Sequence, residues 1–246
     1  MTQNTKIILF LGATGGCGLS VLRRSLAAGH TCIALCRTPS TLLTKLDTPN
    51  PPPNLVLHTG NAHDPSAVFL ALTAPVDTIL TSIGGVFTFT GLTIDDPHVC
   101  ETGMATLLAA IRRRRAEVGP AWRPRLLVIS STGHTGVGPR DTPLLMVPLY
   151  RGLLAVPRRD KKAMEDLLVG EGAEEGWTVV RPSLLTDGGS GRVVRVGVED
   201  PGGRRVERSE VGYTISREDV GKWVFEELIE EREPGRWLRK AVGLTY

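Results

Sequence analysis

The chain has 246 residues and 26.5 kDa, a size that suits one large domain or two small ones; 41% of its residues are hydrophobic, 22% are charged, and its mean hydropathy is −0.01. That balance excludes a disordered chain and a membrane-embedded one, because the longest apolar run, Ile7 to Leu11, is far short of the ~20 residues of a bilayer crossing. The net charge of +3 hides a gradient: residues 1–100 carry five Lys/Arg against five Asp/Glu, residues 101–162 twelve against four, and residues 163–246 twelve against seventeen. The stretch from Met1 to Lys6 leads straight into the first apolar run, which is too short for a signal-peptide core and has no small-residue cleavage site, so a cytoplasmic protein is expected.

Short apolar runs rich in Val, Ile and Leu recur at Lys6–Leu11, Thr31–Cys36, Asn54–His58, Val76–Thr81, Arg125–Ser131 and Trp177–Arg181. They read as strands buried on both faces. Between them lie helical stretches at Gly16–Ala28, Pro65–Leu72, Pro97–Arg115 and Asp160–Val169, the last opened by Asp160 and closed by Gly170 and Gly172. Strict alternation of this kind predicts an α/β fold, a doubly wound parallel sheet with helices on both faces and right-handed crossovers. The breaker-rich segments 48–53, 133–148 and 186–203 read as loops within a single domain covering 1–246, and the last of them is placed to cover a ligand. Beyond it, Ser216 is expected to cap a helix running to about Glu231, with Asp219 as its capping-box partner.

Cys17, Cys32, Cys36 and Cys100 form no CxxC pair and have no histidine at zinc spacing, so reduced, buried thiols are expected. No residues have metal-ligand spacing, and Glu226 to Glu231 reads as a solvated helix face. The basic middle is densest at Arg112-Arg113-Arg114-Arg115, which closes a helical pattern where cations complement the helix dipole. Neither a nucleic acid nor a membrane is expected as partner.

The strongest signal is Gly12-Ala13-Thr14-Gly15-Gly16-Cys17-Gly18, directly after the first strand and before a helix. Glycines there permit a tight turn, admit a pyrophosphate close to the backbone and let helix pack on strand, while the helix N-terminus supplies N–H donors for the anion. This order predicts dinucleotide binding.

The G-x-x-G-x-x-G spacing, with Ala34-Leu35-Cys36-Arg37, Leu127-Val128-Ile129-Ser130-Ser131, Val179-Val180-Arg181-Pro182-Ser183 and Ile215-Ser216-Arg217-Glu218-Asp219-Val220, resembles the atypical short-chain dehydrogenase/reductases of the NmrA-like and biliverdin/flavin-reductase-like groups. The resemblance spans nearly the whole chain and implies a Rossmann-type sheet with a short C-terminal substrate-side portion at 182–246. It also implies that Asn61 and Ala62 line the adenine, that Ser82, Ile83 and Gly84 lie along the nicotinamide ribose, and that Pro182 passes the nicotinamide; the family often has Asp where Asn61 stands. An NAD site places an acidic residue at the end of the second strand. Here that position is Arg37, and residues 1–46 contain no Asp or Glu, so NADP(H) is the expected cofactor, bonded through its 2′-phosphate.

In the larger superfamily a Ser after the fifth strand works with a Tyr-x-x-x-Lys on the next helix. Ser131 matches the serine, with Ser130 and Thr132 as neighbours, and Lys162 matches the lysine, but the tyrosine position then holds Arg158. A second register sets Asp160-Lys161 against the start of that helix in the flavin-reductase-like relatives. Tyr150, His134 or solvent remains as proton source. Phe87-Thr88-Phe89 offers either an aromatic wall or core packing, Arg181 reads as a structural strand-end residue, and Arg217 with Asp219 as a helix-start ion pair. Three functions stay open: an NADPH-dependent reductase of a conjugated carbonyl, quinone, flavin or similar planar acceptor; a redox-neutral isomerase, dehydratase or cyclase; and an NADP(H)-sensing regulator.

Overall fold

The computed structural model describes residues 5–72, 75–88, 93–133, 141–172, 176–201 and 204–246. In chain order its elements are β1 (Ile7–Leu11), α1 (Gly16–Ala27), β2 (Thr31–Cys36), α2 (Pro39–Lys45), β3 (Leu55–Thr59), α3 (Pro65–Ala71), β4 (Thr78–Thr81), β5 (Phe87–Thr88), β6 (Thr93–Ile94) and α4 (Val99–Val118). There follow β7 (Arg125–Ile129), α5 (Val147–Arg151), α6 (Ala155–Glu171), β8 (Trp177–Pro182), β9 (Leu184–Thr186), β10 (Arg195–Asp200), β11 (Arg205–Arg208), β12 (Thr214–Ser216), α7 (Arg217–Val224) and β13 (Lys240–Thr245).

Nine strands form one sheet in the order β11-β10-β13-β8-β7-β4-β1-β2-β3. The seven from β13 to β3 are parallel, and β10 runs antiparallel between β13 and β11. Two small sheets, β12-β9 and β5-β6, stand apart from it.

Side chains alternate across this sheet, so each strand feeds two cores. Ile8 and Phe10 face a cluster closed by Val21 and Leu22 of α1 and by Val220 and Val224 of α7. Leu9 and Leu11 face the other side, against Val68 of α3, Leu107 and Ile111 of α4, and Met164 and Leu168 of α6. Each such fully buried side chain contributes about 1.5–3 kcal/mol, which is why the apolar runs of the sequence become central strands.

Several expected boundaries change for identifiable reasons. Asp160 does not open its helix: α6 begins at Ala155, and the Asp160 carboxylate instead accepts the backbone N–H groups of Cys100 and Glu101, capping α4 from a neighbouring element. Gly170 lies inside α6, and Gly172 ends it. Ser216 caps α7 as expected, its Oγ accepting from Asp219 N at 2.9 Å. The reciprocal half of the capping box is absent, because Ser216 N donates to the Tyr246 hydroxyl and the Asp219 carboxylate is taken by Ser190 and Tyr246. The expected loop 186–203 contains β10, so its irregular part is 187–194.

The arginine run is a structural feature of the last part of α4, which continues past it to Val118. Arg112 pairs with Glu171, Arg113 and Arg114 stack on Phe69, and Arg115 donates to Trp122 O. All four cysteines are free and buried. Among the described residues no helix is long and apolar enough to cross a membrane, and no cluster of His, Cys, Asp and Glu has the makings of a metal site.

Candidate functional site

Because β1 is followed at once by the turn, its glycines decide how closely chain segments approach. Gly12 has φ +88°, and a Cβ there would stand 2.6 Å from Ser82 O; a Cβ on Gly18 would stand 2.5 Å from Gly12 O. Gly18 therefore serves helix-to-strand packing beneath the turn. Gly15, the residue before α1, offers no side chain to cap it, and the first turn of α1 holds no acidic residue. The free N–H groups and the positive end of the helix dipole are left for an anion.

Above the turn a cleft of about 580 Å³ opens along the carboxyl ends of β1, β2, β3, β4 and β7. It lies where strand order reverses between β1 and β4, the position at which open α/β sheets bind ligands. Gly12, Thr14, Gly15, Gly16, Cys17, Arg37, Asn61, Ala62, Ser82, Ile83 and Gly84 all line it. Pro182 does not: it is the last residue of β8, buried, with its carbonyl accepting Thr132 N. The cradle fits a dinucleotide, since any side chain at Gly12 would drive into the backbone of Ser82.

Charge around the cleft is mostly positive. Arg37 is exposed on its rim, Lys161 and Arg217 line it, and Lys45 Nζ lies 3.5 Å from the position of a Cβ on Gly15. The lining carboxylates, Asp95 and Asp96, are engaged with backbone: Asp95 accepts from Val86 N and Asp96 N, and Asp96 accepts from His98 N. His63 also lines the cleft, its Nε2 2.9 Å from Val99 O. Cys17 is no nucleophile, because burial pushes its thiol up to about 12, against the opposing pull of Arg217 and Lys161.

Among the described residues, those expected to perform the chemistry, Ser131, Tyr150 and Lys162, do not line the cleft. Lys162 points to solvent, with 43% of its side chain exposed, and pairs with Asp166 one turn on. The lysine that lines the cleft is Lys161, whose Nζ donates to Ile83 O at 2.6 Å and Ile129 O at 2.8 Å, tying α6 to the ends of β4 and β7. One residue of helix turns a side chain by about 100°, and that step separates the two. Ser131 is half-buried and outside the lining, whereas Ser130 is buried and lines the cleft.

Tyr150 is buried on α5 against Gly133 and Arg158, its hydroxyl 3.4 Å from Thr132 Oγ1, and it does not line the cleft. Burial raises its pKa, although the Thr132 hydrogen bond lowers it, so the phenol is held neutral as a packing group. His134 and Phe89 lie outside the described residues. Arg181 is structural as expected: buried in β8, it binds Glu165 of α6 at 2.6 Å and Glu199 of β10 at 2.7 Å. Arg217 does not pair with Asp219; its partner is Asp187, at 2.8 Å.

The sequence reading missed Lys45 and His63 and held Lys161 only as a second register. Lys161 had a signal: Asp160, Met164, Glu165 and Leu168 are the buried positions of α6, and Lys161 belongs to that face by helical spacing while Lys162 does not. Lys45 had none, because only the fold of α2 brings it to the glycine turn.

The chain is 39% identical, over all of both chains, to a protein of Aspergillus terreus named Reductase pytE. It is 38% identical to Oxidase pynE of Aspergillus niger, over 97% of this chain and 98% of that one. In fold it is similar to a short-chain dehydrogenase/reductase from Veillonella parvula crystallised with NADP, with a TM-score of 0.73, 16% identity, and coverage of 98% of this chain and 94% of the other. Residues 12–231 match the model of a family described as NAD(P)H-binding. The turn, the cleft above it and this match together make the chain a member of the NAD(P)H-binding family of oxidoreductases.

Proposed function

We propose that the cleft holds NADPH and that the chain reduces a small conjugated carbonyl, quinone, flavin or similar planar acceptor. The observation that carries this reading is the placement of cations along the cleft. Arg37 stands at the end of β2, where an NAD site presents a carboxylate, and Lys45 brings a further cation beside Gly15 of the glycine turn. A bidentate guanidinium at the end of β2 suits the 2′-phosphate that distinguishes NADPH. The α1 N-terminus would hold the pyrophosphate, and Asn61 and Ala62 the adenine.

Lys161 is the group we assign to the acceptor side. An ammonium has three N–H donors, and two of those on Lys161 are committed to the carbonyls of Ile83 and Ile129. The third lies beside the Cys100 thiol, a weak acceptor, and would turn from it to the oxygen or nitrogen on which negative charge develops. Ser130 adds a hydroxyl beside it. Bound NADPH supplies the hydride, and the accompanying proton comes from Lys161 or solvent. The names of the two relatives, one a reductase and one an oxidase, fit a hydride carrier run in either direction.

A second reading, redox-neutral isomerisation, dehydration or cyclisation, is favoured by one observation: among the described residues no tyrosine lines the cleft. The two are separated by incubating the protein with NADPH deuterated on one or the other face of C4 and a panel of quinones, flavins, tetrapyrroles and enones, with products read by mass. Deuterium in product is the expected result. A transformed but unlabelled product overturns hydride transfer in favour of the redox-neutral reading, and tight NADPH binding without turnover across the panel favours a sensor.

A further inference from the structure

Arg217 is the cleft cation that the cofactor reading leaves without a role. It is the first residue of α7, yet its side chain reaches across to the turn: Cδ and Nε lie 3.7 and 3.9 Å from where a Cβ on Gly16 would stand. Gly16 is the first residue of α1, whose N-terminal N–H groups have no side-chain cap and no acidic neighbour in the first turn. A guanidinium beside uncapped amides is a place where a phosphate oxygen is bound from two sides.

That guanidinium is engaged by Asp187, 2.8 Å away on a side chain 91% exposed. The contact belongs to a ladder in which two residues of α7 hold the segment after β9. Asp187 meets Arg217, and Ser190 donates to Asp219 through its backbone and its hydroxyl. The Asp219 rung is braced further by Tyr246 and Ser216. The Asp187 rung has only the single exposed ion pair, and such pairs are weak and screened.

We propose that Arg217 is a pyrophosphate ligand and that Asp187 is its counter-ion in the free protein, displaced when the dinucleotide arrives. The proposal rests on the dinucleotide occupying the cleft. A pyrophosphate carries more charge than one solvated carboxylate and is held at the same time by the N-terminus of α1, so it wins the competition. Because the pyrophosphate is common to both nicotinamide nucleotides, Arg217 sets affinity without choosing between them, unlike Arg37.

Titration calorimetry of NADPH and NADH against wild type, Arg217→Gln and Asp187→Asn at one low salt concentration tests this. Arg217→Gln is expected to weaken both nucleotides by the same factor, about tenfold. Asp187→Asn is expected to tighten both two- to threefold, since the competitor is gone. Both variants remove the same ion pair, so a merely structural contact moves them in the same direction, and that outcome overturns the proposal. Unequal loss of NADPH and NADH in Arg217→Gln overturns it too, by assigning the residue to the 2′-phosphate. Wild type that binds neither nucleotide sinks the cofactor reading and the proposal together; wild-type binding unchanged in Arg217→Gln sinks the proposal alone.

Discussion

The two ends of the cleft are built by different means. At the glycine turn the site is made of backbone: uncapped amides of α1, an approach between Gly12 and Ser82 that no side chain survives, and Gly18 packed on Gly12. At the other end it is made of side chains aimed by their elements: Lys161 rather than Lys162, Ser130 rather than Ser131, with Tyr150 turned into the protein. A site made of backbone depends on which residues are absent, while a site made of side chains depends on the phase of each helix and strand. The first kind survives in the one-dimensional pattern, and the second is lost by an error of one residue.

A buried charge network joins α6, β8 and β10 outside the cleft lining, and breaking it should give the largest effect. Arg181→Leu leaves Glu165 and Glu199 buried without this cation and should destabilise the protein by about 3–5 kcal/mol in urea unfolding. A loss below about 1 kcal/mol would mean that water reaches the two carboxylates.

Next comes the difference between adjacent lysines. Lys161→Met should slow deuteride transfer to whichever acceptor turns over by about 100-fold, the scale of a positioned proton-transfer or electrostatic group. Lys162→Met should leave the rate within twofold, since it loses only an exposed pair with Asp166. Equal effects in single-turnover kinetics would erase the distinction drawn from helix phase.

At the backbone end, Arg37→Gln should weaken NADPH about tenfold and NADH less than twofold in equilibrium titration. Equal losses would detach Arg37 from cofactor selection.

The smallest expected effect is on pH stability. Burial pushes the Cys32 thiol from 9.0 up to about 12, so the folded state keeps it neutral while the unfolded state ionises it. Its contribution is complete below pH 9 and is lost as pH rises from 9 towards 12. Melting temperature should therefore fall less steeply between pH 9 and 11 in Cys32→Ala than in wild type; parallel curves would show that this thiol is reached by solvent.

Much of the fold was legible because burial on two faces leaves a mark in composition. β2 runs over Thr31–Cys36 as read, and β1, β3, β7 and β8 shift by one or two residues. The C-terminal strands β10, β11 and β13 were not legible. Charged residues at Arg195, Glu199, Asp200 and Arg205 break their apolar pattern, and the partners that make them strands are distant in sequence, as with Arg195 opposite Thr245. Asp160 misled for a related reason: it is a capping residue, but of a helix sixty residues away in the chain.

From the order of residues alone came the strand–glycine–helix turn, the Arg37 at the end of β2 and the parallel sheet that puts both above one edge. These depend on local backbone geometry and on burial periodicity, which neighbouring residues encode. Tertiary structure alone decided that Lys45 and Arg217 reach the turn and that Tyr150 does not line the cleft, and it chose Lys161 over Lys162. Those placements depend on how one element is rotated and docked against another, which is settled by packing between segments far apart in the chain.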